Sequence, residues 1–167
     1  MTVRGGVAPL VVLATLLSAA PSAGAAGPSR HVADRYAKRT YIVQAGARRT
    51  FSLTGPRATV RASDGSTITA FGMVLADSGD GTGQAVLLFR GAHFLGWAST
   101  FDALHLSVGH QGNAITVRYG VYRGNDPFCC PSSFKTVRYR WNGRRIVASA
   151  DPPLTYGRRG DRLHLRR

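Results

Sequence analysis

From residue 39 onward, short apolar and polar positions alternate along the chain in the manner of β-strands. Residues 39–44, 48–54 and 57–62 are brief runs rich in Val, Ile, Thr, Tyr and Phe, punctuated by Ala45-Gly46 and Gly55-Pro56. Residues 67–76 and 85–90 are almost continuously apolar, as central strands covered on both faces are. A loop from Asp77 to Gly83 joins them, and 91–97 and 104–108 supply further strand candidates. The alternation is strictest in the last third. Ile115, Val117, Tyr119 and Val121 interleave with Thr116, Arg118 and Gly120, and Val137, Tyr139 and Trp141 with Thr136, Arg138 and Arg140. One set of each run belongs to a core and the other to solvent. Asn142-Gly143 then predicts a two-residue type I′ hairpin with residues 144–149 returning. In that register Trp141 opposes Arg144, Tyr139 opposes Ile146, and Arg140 faces Arg145.

Together these elements predict an all-β fold, a small antiparallel β-sandwich or half-open barrel spanning residues 39–150. Residues 1–25 read as a secretory signal peptide rather than as part of it. Arg4 precedes an apolar run over 7–20, and Ala23-Gly24-Ala25 offers the small-x-small cleavage pattern. The run is shorter than the roughly 20 residues needed to cross a bilayer. Residues 26–38 read as a linker or short helix, and 151–167 as a flexible basic tail. The expected location is outside the cell or against its envelope.

Charge changes the picture next. The 22 Lys and Arg outnumber 8 acidic residues for a net charge of +14, and all the acids are Asp. Such a field attracts polyanions and anionic surfaces. The hairpin gives it a location, a basic sheet face of Arg118, Arg138, Arg140 and Arg145 expected to bind anionic envelope polymers. The competing view is that solvent and salt simply screen these arginines.

The two cysteines, Cys129 and Cys130, are adjacent in Asp126-Pro127-Phe128-Cys129-Cys130-Pro131-Ser132. An exported chain meets an oxidising environment. Neighbouring Cα atoms nevertheless lie about 3.8 Å apart across a trans peptide, closer than ordinary disulfides favour. Three readings stand open: a vicinal disulfide stiffening a turn, two buried thiols packing as small apolar groups, and a redox or metal-binding dithiol. The same segment, followed by Thr136-Val137-Arg138-Tyr139-Arg140-Trp141-Asn142-Gly143, resembles the LppP/LprE-like family of actinobacterial envelope lipoproteins. The 77–83 loop, Ala85-Val86-Leu87-Leu88-Phe89 and Phe94-Leu95-Gly96 fall in comparable order, so the resemblance spans residues 71–152. It implies a non-enzymatic envelope domain. The lipidated N-terminal cysteine of that family has no counterpart here, which removes membrane anchoring from what the resemblance implies.

The remaining chemistry is thin. Asp77, Asp80 and the intervening glycines lack the bidentate acid that closes a calcium loop. His93, Asp102, His105 and His110 cluster in sequence without a nucleophile-elbow or metalloprotease pattern. Trp97, Trp141 and several Tyr offer stacking surfaces, although the alternation sends Trp141 and Tyr139 to the core. The sequence therefore points to a secreted, non-enzymatic β domain with no cofactor and no metal. The rival readings are a protein-interaction module built on the Cys129-Cys130 turn and a small secreted hydrolase.

Overall fold

A computed structural model describes residues 26–79, 81–153 and 161–167. The signal-peptide reading of 1–25, along with Asp80 and most of the tail's arginine-rich start, lies outside these residues. Among the described residues one helix, α1 (Arg30–Arg39), precedes ten strands. These are β1 (Thr40–Gln44), β2 (Ala47–Arg61), β3 (Thr67–Leu75), β4 (Gln84–Arg90), β5 (His93–Trp97), β6 (Ser107–Gln111), β7 (Ala114–Val121), β8 (Ser133–Trp141), β9 (Ile146–Ala148) and β10 (His164–Leu165). Pairing is antiparallel throughout, in a six-stranded sheet ordered β10-β1-β2-β3-β4-β5 and a four-stranded sheet ordered β6-β7-β8-β9. The all-β expectation holds, as a sandwich closed where β6 packs on β2.

The continuously apolar strands earn their composition by being covered twice. On β3 and β4, Ile68, Ala70, Val86 and Leu88 face the second sheet, where they meet Ile115, Val117, Tyr119, Val137 and Tyr139. Phe71, Met73, Leu75, Ala85, Leu87 and Phe89 face the other way, onto α1 and Leu163 of the tail. Strict period-2 alternation thus feeds two cores from one sheet. Within the first core the Tyr119 and Tyr139 hydroxyls hydrogen-bond each other at 2.7 Å, which lets two phenols sit fully buried.

Of the two readings of 26–38, the short helix is the one that forms. Ser29 caps α1 by accepting a hydrogen bond from the Val32 N–H. Ala33 and Ala37, four residues apart and so on one helix face, are both wholly buried against the sheet. Tyr36 stacks on Phe94 at 4.6 Å and meets Phe89 edge-on at 5.5 Å. The tail, expected to be flexible, is instead tied at its end. β10 pairs with β1, the Leu163 N–H donates to the Thr100 carbonyl, and the Leu163 side chain enters the second core.

The β8–β9 hairpin corrects the predicted register by two residues. Trp141 pairs with Ile146, Arg140 with Val147 and Tyr139 with Ala148. The reason is the Asn142 side chain, whose Oδ1 accepts the N–H of both Arg144 and Arg145 while the Asn142 N–H donates to the Arg145 carbonyl. This Asx arrangement holds a four-residue loop in place of the two-residue turn. The tight two-residue form occurs elsewhere, at Ala45-Gly46, where both residues have positive φ (49° and 78°) and Gln44 pairs with Ala47.

Candidate functional site

The outer face of the second sheet carries the basic residues. Strand alternation puts Val137 and Tyr139 inward on β8, so Phe134, Thr136, Arg138 and Arg140 point outward. Arg118 pairs with Thr136 across β7–β8, which sets it diagonal to Arg138. Same-face neighbours on a strand lie about 7 Å apart and diagonal partners about 7–8 Å. Arg118, Arg138 and Arg140 therefore form one contiguous cationic line. No acidic residue occurs anywhere in β6, β7, β8 or β9.

These arginines are positioned rather than loose. The Arg118 guanidinium lies over the Phe134 ring at 3.3 Å from its centroid. Arg138 donates from Nε to Gln111 Oε1 at 2.8 Å, leaving its other nitrogens turned outward. Arg138 and Arg140 border a shallow hollow of about 550 Å³ with Val147 and Ser149. Phe134 and Val147 are each 42% exposed on the same face, so the surface is cationic with apolar steps. Arg145 does not belong to it. The shifted hairpin carries Arg145 into the turn, beside Arg144 at the mouth of a different cleft.

The cysteine segment forms the β7–β8 connection at one end of this face. Cys129 and Cys130 are bridged to each other and both are exposed, so they are not two buried thiols packing as apolar groups. The Asp126 carboxylate stitches the loop by accepting from the Arg123 N–H, the Ser132 N–H and the Ser132 hydroxyl. Those bonds, that to the Ser132 hydroxyl foremost, hold the Asp126 carboxyl below the usual carboxylate range. The Tyr122 hydroxyl donates to the Phe128 carbonyl, yet the Phe128 side chain stands 60% exposed.

The other sequence candidates scatter. Asp77 is engaged by Arg49 at 2.8 Å, which holds its carboxyl below the ordinary value, and Asp80 lies outside the described residues. His93 lies at the start of edge strand β5, His110 in β6 and His105 beside Tyr122. No hydrogen bond or ion pair among the described residues joins Asp102 to a histidine, and no group of three metal-ligating side chains occurs among them. Trp141 packs on the first core, as its alternation predicts, and donates from Nε1 to Asp64.

Asp102 is the unusual titrating group. Its Oδ1 is buried without a hydrogen-bond partner. Burial, reinforced by the negative charge of Asp161, raises its carboxyl to about 6. Folding therefore takes up a proton between about pH 4 and 6, and stability falls as pH rises through that window. At pH 7 a charged Asp102 is a standing cost. Asp102→Asn is expected to raise stability at pH 7 by about 1–2 kcal/mol, less than the full shift implies because water reaches part of the carboxyl. Urea midpoints taken from pH 4 to 7 check this. The gain should vanish toward pH 4, and a variant weaker than the parent at pH 7 contradicts the sign.

A family model described as LppP/LprE lipoprotein matches residues 59–144, just over half the chain, from the end of β2 through the turn after β8. No curated protein and no solved structure gives a match.

Proposed function

Because the chain belongs to the LppP/LprE lipoprotein family and is thus an envelope-associated protein, we propose that it is exported and serves there as a non-enzymatic binding domain. The outer face of its second sheet holds an anionic envelope polymer. What supports this reading is one observation, the exposed line of Arg118, Arg138 and Arg140 on four strands free of acidic residues. Spacings of about 7 Å suit a repeating phosphate or carboxylate chain, and planar guanidinium groups bind such oxygens in pairs. Phe134 and Val147 give the polymer's less polar stretches a place to lie. The test is salt-dependent retention of the purified protein on immobilised polyphosphate, with and without alanine at the three arginines.

A second reading rests on Phe128. An aromatic ring held out on a loop tied by the Asp126 carboxylate and the Cys129–Cys130 bridge has the form of an anchor for a partner protein. Phe128→Ala separates the two readings. If the polymer face is the working surface, retention on polyphosphate changes less than twofold in this variant. A loss comparable to that of the arginine variant places the loop in the binding surface.

A further inference from the structure

The sandwich closes along β2 and β6 but gapes on its opposite side, where β5 ends the first sheet and β9 ends the second. A cleft of about 400 Å³ opens there, within the roughly 300–1,000 Å³ range of small-molecule sites. Leu88, Leu95, Tyr139, Trp141 and Ile146 line it, and Trp97 borders it with its indole turned into the second core. Leu95, Trp141 and Ile146 are only partly buried, so the hydrophobic core itself is open to solvent along this edge. The Trp141 indole is fixed: its Nε1 donates to Asp64 Oδ2 at 2.8 Å, and Arg90 lies over its ring at 4.9 Å. The walls are thus built before any ligand arrives.

The mouth is cationic. The Asn142 carbonyl grips the Arg144 and Arg145 amides, and both arginine side chains border the cleft. No hydrogen bond or ion pair of either side chain occurs among the described residues. The far end has the opposite sign: a neighbouring hollow of about 490 Å³ shares Trp97 and Ala98 with the cleft and is lined by Asp102 and Asp151. A cleft with apolar side chains on its walls, arginines on its border and carboxylates in the adjoining hollow selects and orients its occupant.

We propose that this cleft binds one acyl chain of an anionic amphiphile, with the chain along Leu88, Leu95 and Ile146 and the headgroup on Arg144 and Arg145. The headgroup oxygens, from a carboxylate or a phosphate, take the guanidinium fork, while the acidic end repels them. Each methylene drawn out of water strengthens binding roughly fourfold, so affinity climbs with chain length until the slot is full. This site adjoins the outer face at Trp141 and Ala148 but draws on different arginines, so the two are tested by different variants.

Of the chain's two tryptophans, Trp141 lines the cleft with its indole, while the Trp97 indole packs in the second core. Palmitate brominated at mid-chain, added below its micelle concentration, is therefore expected to quench the Trp141 share of the fluorescence, saturably and at one chain per protein. Unlabelled palmitate should reverse the quenching and octanoate should do so far less well. Arg144→Ala/Arg145→Ala should weaken binding at least tenfold. Ala148→Phe, placed at the rim to fill the slot without adding an indole, should exclude the chain while leaving the circular dichroism of the fold unchanged. Absence of quenching overturns the proposal. So does quenching that both variants leave intact, or that inorganic phosphate reverses and palmitate does not. Retention of the arginine pair variant on polyphosphate serves as the internal check, since it reads the other face.

Discussion

Phe89→Ala is expected to cost about 3–5 kcal/mol of folding stability, the largest single-site loss in the domain. The side chain is wholly buried at the centre of the core between the first sheet and α1. Its ring meets Phe71 edge-on at 6.0 Å, Tyr36 at 5.5 Å and Phe94 at 5.5 Å. Truncation removes the transfer free energy of the ring and leaves a cavity that the packed rings of Tyr36, Phe71 and Phe94 close only in part. Set against a net stability of about 5–15 kcal/mol, that is roughly a fifth of the total or more. Leu95→Ala supplies the contrast. Its side chain already borders the open cleft, so its loss creates little closed cavity and should cost about 1 kcal/mol. Urea denaturation of both variants checks the pair. A Phe89→Ala cost below about 1 kcal/mol would mean that α1 does not seal the sheet.

Much of this architecture was legible because strand alternation is a local signal. The inward set of β7 and β8 follows directly from the period of two, and the double coverage of β3 and β4 from their unbroken apolar runs. Where a tertiary contact decided the outcome, the local signal failed. Residues 26–38 show little hydrophobicity because the helix buries alanines, whose smallness is what lets α1 lie close. Gly55-Pro56 suggested a break, whereas β2 runs through it and absorbs the irregularity as a register shift between Leu53 and Arg57. Leu163 sits in the polar run Asp161-Arg162-Leu163-His164, and nothing in its neighbours announces that it is docked.

The site divides in the same way. Arg118, Arg138 and Arg140 share a face because parity within paired strands fixes it. Arg145 was misplaced because a single side-chain carbonyl, that of Asn142, chose a four-residue loop over the two-residue turn favoured by Asn-Gly. The β5–β9 cleft had no sequence signal. Its walls come from four strands and exist only where two sheets diverge.

The arginine line carries the largest functional effect. Each cation seated on a phosphate chain releases about 0.7–0.9 of a counterion, so affinity falls with salt in proportion to the contacts made. Removing three contacts should flatten the slope of log affinity against log salt by about 2–3 and weaken binding on the order of 10- to 100-fold at low salt. The cost to stability should be within about 0.5 kcal/mol, since Arg118, Arg138 and Arg140 are exposed and outside both cores. The most direct measurement is therefore a salt titration of polyphosphate binding by the parent protein and by Arg118→Ala/Arg138→Ala/Arg140→Ala. The expected result is a steep slope in the parent and one flatter by about 2–3 in the variant. Equal slopes in the two proteins would show that the binding charge lies elsewhere on this basic chain and would contradict the assignment of the outer sheet face.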